Sequence, residues 1–315
     1  MLKYFHFATL FLVNMFILSC EEEFILDQSV VDNRVVVNSI FNDEDVLSLT
    51  VTKNMKPQQN QKIIELKNAK VSLYKNGTFV EDMVYSKDSD DELGRFYSGI
   101  TPIIGSTYKV EVETILAGKT ISQSVLPQKV DIVSDSAIWV KWTTSEDSMF
   151  SIRYYFEITI NDPPENNYYF ITASVPVYQV DTINNTRQFQ ALQYAEILSG
   201  DLPTHEIYLN NALLFKDVTF NATSKKITGT ATISSYPDPD FYDGDKSFIL
   251  DKSKLHIELH SLSADAYNFC SSYAKKIASQ DDVYSEPTVI YSNIENGLGV
   301  FAGENITKRD VLIRY

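Results

Sequence analysis

Short segments in which apolar and polar residues alternate follow one another along the chain after residue 33. Alternation puts one side of each segment on a core and the other in solvent, which is the pattern of β-strands. The pairs Asn76-Gly77 and Ala117-Gly118 predict tight turns between such segments, because glycine adopts positive φ. Residues 34–127 therefore predict an immunoglobulin-like β-sandwich. Its segments are RVVVNSIF (34–41), VLSLTVTK (46–53), AKVSLYKNGTFVEDMVY (69–85) and STYKVEVETILAGKTISQSV (106–125).

From residue 131 the alternating segments are longer and richer in tyrosine. One segment, 263–279, has helical spacing instead, with Tyr267, Cys270, Ala274 and Ile277 on one stripe and Ser263 as the N-cap. We predict a mainly β protein, in which the sandwich is followed by a larger antiparallel β domain (131–315) with one packed helix near 263–279. The strands of that domain are SIRYYFEITIND (151–162), NYYFITASVPVYQV (167–180), KKITGTATISSY (225–236), SKLHIELHSLS (253–263), EPTVIYSNI (286–294) and LGVFAGENI (298–306).

The charge balance limits the classes of partner. The chain has 27 Lys and Arg against 42 Asp and Glu, which gives a net charge of −15 over 315 residues. Phosphate backbones are bound by basic stripes, and the sequence has none. We therefore expect no nucleic-acid partner.

The first 19 residues have the layout of a secretory signal peptide. Lys3 is followed by an apolar stretch that is too short to span a bilayer. ILSC (17–20) resembles a lipobox, the motif read by bacterial lipoprotein signal peptidase, so Cys20 would become the lipid-bearing first residue. The alternative is an ordinary signal peptide with an incidental cysteine. Acylation of Cys20 would leave Cys270 alone, as a buried and inert thiol.

Three glutamates, Glu21, Glu22 and Glu23, follow the lipidation site directly. In Bacteroidota such acidic residues resemble the export signal that sends lipoproteins to the outer face of the outer membrane. The alternative is a solvated tether without a sorting role. We expect a lipidated acidic tether over residues 20–33.

Two clusters of polar residues are candidates for a metal. His256, Glu258 and His260 in LHIELH share one face of a strand, and such a face could hold zinc with a fourth ligand. The alternative is the solvent face of an amphipathic strand.

The acidic segment Asp238–Asp245 offers oxygen ligands for calcium at Asp238, Asp240, Asp243 and Asp245. It departs from an EF-hand loop, and Asp243-Gly244 alone suits a hairpin turn. The sequence contains neither a GxSxG elbow nor a P-loop. We therefore expect no enzyme and no obligatory cofactor.

Five segments of the chain together have the pattern of a known family: VYSEPTVIYSNIENGLGVFAGENI (283–306), LHIELHSLSADAYNFCSSY (255–273), CEEEFILD (20–27), RVVVNSIF (34–41) and VSLYKNGTFVE (71–81). In these segments the chain resembles a Bacteroidota lipoprotein family known as domain of unknown function 4249. The resemblance implies a setting beside TonB-dependent outer-membrane receptors. No catalytic residues are assigned to the family, so none is carried over to this chain.

The sequence therefore predicts a surface-exposed outer-membrane lipoprotein that acts as a non-enzymatic accessory to a TonB-dependent receptor or another outer-membrane β-barrel protein. The alternative is a carbohydrate- or peptide-binding surface module that uses its tyrosine-rich strands. A hydrolase is a third hypothesis, for which the sequence identifies no pair of nucleophile and base. The loops between strands, above all Pro237–Asp245, are the predicted contact regions.

Overall fold

The computed structural model describes most of the chain after residue 33. The described ranges are 34–55, 62–88, 91–115, 118–144, 150–181, 186–199, 207–209, 211–235, 242–243, 246–251, 253–279 and 288–314. They belong to one compact unit, and the second unit, formed by 1–32 and 56–59, lies outside them.

The first part of the chain forms short strands, as the alternating pattern predicts. These are β1 (Val35–Phe41), β2 (Ser48–Lys53), β3 (Lys70–Lys75), β4 (Thr78–Asp82), β5 (Val84–Ser86), β6 (Arg95–Tyr97), β7 (Thr107–Thr114) and β8 (Gly118–Val125). Strands β3 and β4 are joined by Asn76 and Gly77 at φ +50° and +81°, the positive values that a two-residue hairpin turn requires.

Two layers of these strands enclose one core. Strands β4, β3, β7 and β8 form a four-stranded sheet, and β1, β2, β6 and β5 continue a larger sheet. Side chains from both layers, among them Val35, Leu49, Leu73 and Tyr108, pack in a single buried cluster. This arrangement fits a sandwich, while the immunoglobulin-like topology and the domain boundaries stay predictions.

The rest of the chain is also mainly strand. These elements are β9 (Ile132–Thr144), β10 (Phe150–Asn161), β11 (Tyr168–Asp181), β12 (Thr186–Tyr194), β13 (Glu196–Ser199), β14 (Ile207–Leu209), β15 (Ala212–Lys216), β16 (Ser224–Ser235), β17 (Tyr242–Asp243), β18 (Lys246–Leu250), β19 (Lys254–Leu262) and β20 (Gly297–Arg314).

Strands β13, β16, β10, β9 and β20 lie side by side in that order, and β19 joins β20 to β11. Their inward side chains, including Ile152, Tyr154, Tyr169 and Ile257, form the largest buried cluster. The prediction of a mainly β protein is confirmed.

Strand β20 links the two cores. Its first residues pair in parallel with β1, residues 304–312 pair antiparallel with β19, and its end pairs in parallel with β9. The predicted strand Leu298–Ile306 is thus only part of a longer one. The predicted strand at 286–294 is wrong over its described residues 288–294, which form no ladder. There the Asn293 side chain pairs with the backbone of Phe301, accepting at 3.0 Å and donating at 2.7 Å.

One helix, α1 (Ala264–Ala278), lies within the described residues. Ser263 caps it, because its hydroxyl accepts from Ala266 N at 3.2 Å. Tyr267 and Ala274 of the predicted stripe are buried, and α1 packs on β20 at Val300 and Ala302. The predicted helix near 263–279 is confirmed. No helix in the described ranges has the length and apolar character to cross a bilayer.

Candidate functional site

The polar side chains of β19 meet acidic side chains of β20 on the outer face of the sheet. Leu255, Ile257 and Leu259 point to the core, so the residues between them share the opposite face. Antiparallel pairing sets Asp310 beside His256 and Glu304 beside Leu262. We call the resulting set the His/carboxylate row, which runs in the order Asp310, His256, Glu258, His260, Glu304.

Each histidine of the row lies between two carboxylates. His256 Nδ1 is 2.8 Å from Asp310 Oδ1, and its Nε2 is 3.4 Å from Glu258 Oε1. His260 Nδ1 is 3.2 Å from Glu304 Oε2. Its Nε2 is 3.7 Å from Glu258 Oε2, an ion pair too long for a hydrogen bond, so this buried atom has no hydrogen-bond partner among the described residues. Alternating charges therefore join β19 to β20.

The three β19 side chains of the row are shielded from solvent, whereas Asp310 at its end is 53% exposed. The side chains of His256, Glu258 and His260 are 18%, 16% and 11% exposed. The ring of Phe170 on β11 meets His260 edge-on at 5.0 Å between centroids. The expectation of an ordinary solvent face is therefore wrong for these three side chains, because β11 pairs beside β19 in the sheet and its Phe170 side chain packs against His260.

The neighbouring carboxylates favour the charged form of both histidines and raise their pKa values. Burial lowers the pKa of His260, but Glu258 and Glu304 outweigh it and raise that pKa from 6.5 to about 9. The hydrogen bond to Glu258 raises the pKa of His256 against the effect of burial, and Asp310 adds to the rise. Both histidines hold the pKa of Glu258 well below 4.5. At neutral pH His260 is therefore protonated and ion-paired, and a protonated histidine is not a general base.

The arrangement of the three β19 side chains does not match a zinc site. The two histidine Nε2 atoms approach opposite oxygens of Glu258, so the three side chains are paired with each other instead of facing one central point. Within the described residues, no group of three or more His, Cys, Asp and Glu side chains converges as a metal requires. No zinc site is assigned to the row.

Most of the other predicted site residues lie outside the part of the chain that the structure describes. Cys20, Glu21, Glu22 and Glu23 lie outside the described residues, and so do Asp238, Asp240 and Asp245. Asp243 belongs to β17, but its side chain is not described. Calcium binding and the lipid anchor therefore stay predictions.

Cys270 lies on α1, where burial is the main influence that raises its pKa to about 11. Its thiol is partly exposed but stays protonated at neutral pH, so it is a poor nucleophile. The prediction of a buried thiol is thus wrong in part, because Cys270 is only partly buried, while the raised pKa agrees with an inert thiol.

The described tyrosines range from fully buried to half exposed. Tyr154 and Tyr169 are fully buried, whereas Tyr155 and Tyr194 are 50% and 45% exposed. Tyr169 donates to Asp162 at 2.5 Å, a buried contact with a role in the core. The exposed tyrosines remain as candidates for contact with a ligand or a partner.

The edge strand β12 was missed as a candidate surface. Every residue of β12 except Leu192 is exposed, and among the described strands it pairs only with β11. Arg187 is its one charged residue and lies over the Tyr178 ring at 4.0 Å. A low-charge sequence, TRQFQALQY, was the available signal.

A family model described as "Domain of unknown function (DUF4249)" matches residues 21–310. No curated protein matches the chain.

Proposed function

The chain belongs to the DUF4249 family of domains of unknown function, and from this premise we propose that it is a lipid-anchored protein of the outer-membrane surface. In this proposal it is a non-enzymatic accessory that binds a TonB-dependent receptor or another outer-membrane β-barrel protein. Cys20 carries the lipid, and Glu21, Glu22 and Glu23 direct export to the outer face.

The observation that carries the partner proposal is the exposed edge of β12. Natural sheets usually protect an edge with charges or proline, because unpaired backbone groups recruit other strands. Arg187 is the only charged residue of β12, and the side chains of Phe189 and Tyr194 are 53% and 45% exposed. Such an edge is suited to strand addition, in which a partner's extended segment pairs with the backbone.

A bulge narrows the contact region. Gln190 is skipped in the pairing, because Val177 lies opposite Ala191 while Tyr178 lies opposite Phe189. Bulges disturb a regular ladder, so a partner strand pairs better with the residues on one side of Gln190 than with the whole length of β12. We place the contact on Ala191–Tyr194, the side away from Arg187.

The lipid anchor makes even a weak contact effective. Confinement to the plane of the membrane raises the effective concentration of the two proteins. A short strand pairing with one aromatic anchor could then be well occupied.

Affinity purification tests this proposal. We expect a tagged copy, extracted in mild detergent, to recover an outer-membrane β-barrel protein in near-equal amount. Tyr194→Lys should reduce that recovery. The matched control Val218→Lys, which replaces a 72%-exposed side chain in a turn, should leave it unchanged. Recovery of the tagged protein alone contradicts the proposal.

A carbohydrate- or peptide-binding module is the second candidate. It is favoured by Tyr155, whose side chain is half exposed in the middle of a sheet face. Specific binding to a glycan array, with no outer-membrane protein recovered, would place this candidate first.

A further inference from the structure

A row of apolar side chains crosses the outer face of four neighbouring strands. Tyr155 of β10 lies opposite Ile138 of β9 and Thr230 of β16, and Thr230 lies opposite Leu198 of β13. Directly opposed residues of antiparallel strands point to the same face. Ile138, Tyr155 and Leu198 are 50%, 50% and 46% exposed. We call Ile138, Tyr155, Thr230 and Leu198 the Tyr155 face.

Buried residues on the other side of the sheet fix the position of this face. The neighbours of Tyr155 along β10, Tyr154 and Phe156, are buried in the core. Phe156 packs against Gly229 so closely that a Cβ there would lie 2.7 Å from its ring. A central strand pinned by such packing offers its outward side chains without reorganisation, which lowers the cost of binding.

An open pocket of about 230 Å³ lies beside the Tyr155 ring. Ile138 and Tyr155 form its apolar side, and Ser136, Glu157 and Thr228 contribute polar groups. It is smaller than the ~300–1,000 Å³ typical of sites for drug-sized ligands. The pocket therefore suits one small ring that has an apolar face and a hydroxylated rim.

The charges around the pocket favour an uncharged ligand. Glu157 Oε1 is paired with Lys226 Nζ at 2.9 Å, so this carboxylate is already matched by a cation. The chain as a whole carries −15, which opposes anionic sugars.

We propose that the Tyr155 face binds a neutral sugar ring, with Tyr155 stacking on the apolar side of the ring and Glu157, Ser136 and Thr228 meeting its hydroxyl groups. This site goes beyond the membrane-partner role and uses a surface other than the β12 edge. The protein would then bring glycans to the membrane assembly that it joins.

Isothermal titration of the full-length protein in detergent tests the site. The neutral probes are maltohexaose, cellohexaose and mannohexaose, and hexagalacturonate is the anionic counterpart. We expect binding of at least one neutral probe and none of hexagalacturonate. Tyr155→Ala should weaken that binding roughly tenfold, and Tyr155→Phe should preserve it because the ring remains. Glu157→Gln should weaken it without loss of folding.

Tyr194→Ala is the matched control, since it removes from β12 a tyrosine of similar exposure, 45% against 50% for Tyr155. It should leave sugar binding unchanged, and circular dichroism should show native folding for every variant. The proposal is overturned by absence of binding to all three neutral probes, by equal weakening in Tyr155→Ala and Tyr194→Ala, or by loss of membrane-partner recovery in Tyr155→Ala without any sugar binding. The last result would make this face a protein contact. If only the Tyr194 variant failed to change partner recovery, that result would concern the partner proposal and not the sugar site.

Discussion

Replacing Glu258 by glutamine removes the central charge of the His/carboxylate row. The amide has nearly the same shape, so the contact with Thr172, whose hydroxyl oxygen lies 3.5 Å from Glu258 Oε2, should persist. His260 then keeps only Glu304 as a charged partner, at 3.2 Å. A buried, protonated imidazole would thus lose half of the negative charge that surrounds it.

The size of the loss follows from burial and distance. Breaking a buried ion pair by removing one partner costs about 3–5 kcal/mol. Glu258 is 16% exposed, and its nearest histidine nitrogen is 3.4 Å away. This is longer than the ~2.8 Å of a strong charge-assisted hydrogen bond, so we expect a loss of about 2 kcal/mol in the free energy of unfolding near pH 6.

The loss should depend on pH in a defined direction. The pKa of His260 is raised to about 9 in the folded protein, so its contribution is complete below its ordinary 6.5 and disappears as the pH rises through about 9. The pKa of Glu258 is lowered, so its contribution is present above 4.5 and is lost as the pH falls towards the folded value. The full effect of the row therefore lies between pH 4.5 and 6.5.

Urea unfolding of wild type and Glu258→Gln at about pH 6 and about pH 10 measures this. The difference should be largest at the lower pH and should nearly vanish at the higher one. Glu44→Gln is the matched control, since Glu44 is 47% exposed and pairs with Lys308 at 3.3 Å, so its loss should stay below about 0.5 kcal/mol. Equal losses for the two variants, or a Glu258→Gln loss independent of pH, would refute this account of the row.

Further predictions concern the anchor, the core and the thiol. Cys20→Ser should abolish lipid labelling and release the protein from membranes; a variant that stays bound through a high-salt wash contradicts the lipobox. Replacing Glu21, Glu22 and Glu23 by alanine should preserve lipidation but protect the protein from protease added to intact cells, and unchanged digestion argues against the export signal. Gly229→Ala should lower stability by about 1–3 kcal/mol in thermal melts, because its Cβ would lie 2.7 Å from Phe156, and an unchanged melting temperature contradicts that packing. Cys270 should resist thiol reagents at about pH 8 until the protein is unfolded, since its pKa is raised to about 11; rapid native labelling would show a reactive thiol.

Local patterns were enough to predict most strands and the helix. The segment 151–162 corresponds to β10 (Phe150–Asn161), and 253–263 corresponds to β19 (Lys254–Leu262). These strands bury one side fully, so period-two alternation is strong in the sequence. Ser263 marked the helix start because its capping hydroxyl acts locally.

Contacts between distant segments could not be predicted. The shared face of His256, Glu258 and His260 followed from alternation, but their partners Glu304 and Asp310 depend on the register between β19 and β20. That register is set by the whole sheet, and a shift by one residue would turn these acids to the core. The stretch 286–294 suggested a strand because its composition is strand-like. Over its described residues 288–294, hydrogen bonds between the Asn293 side chain and the Phe301 backbone take the place of a ladder.

Photo-crosslinking in intact cells tests the partner role most directly. A photoreactive amino acid placed at Gln193, which is exposed on the proposed contact segment of β12, should form one main adduct with an outer-membrane β-barrel protein. The same amino acid at Val218, an exposed turn position, should not form that adduct. An absence of adducts at Gln193, or the same adducts from both positions, would contradict the proposal that β12 docks this protein onto a membrane partner.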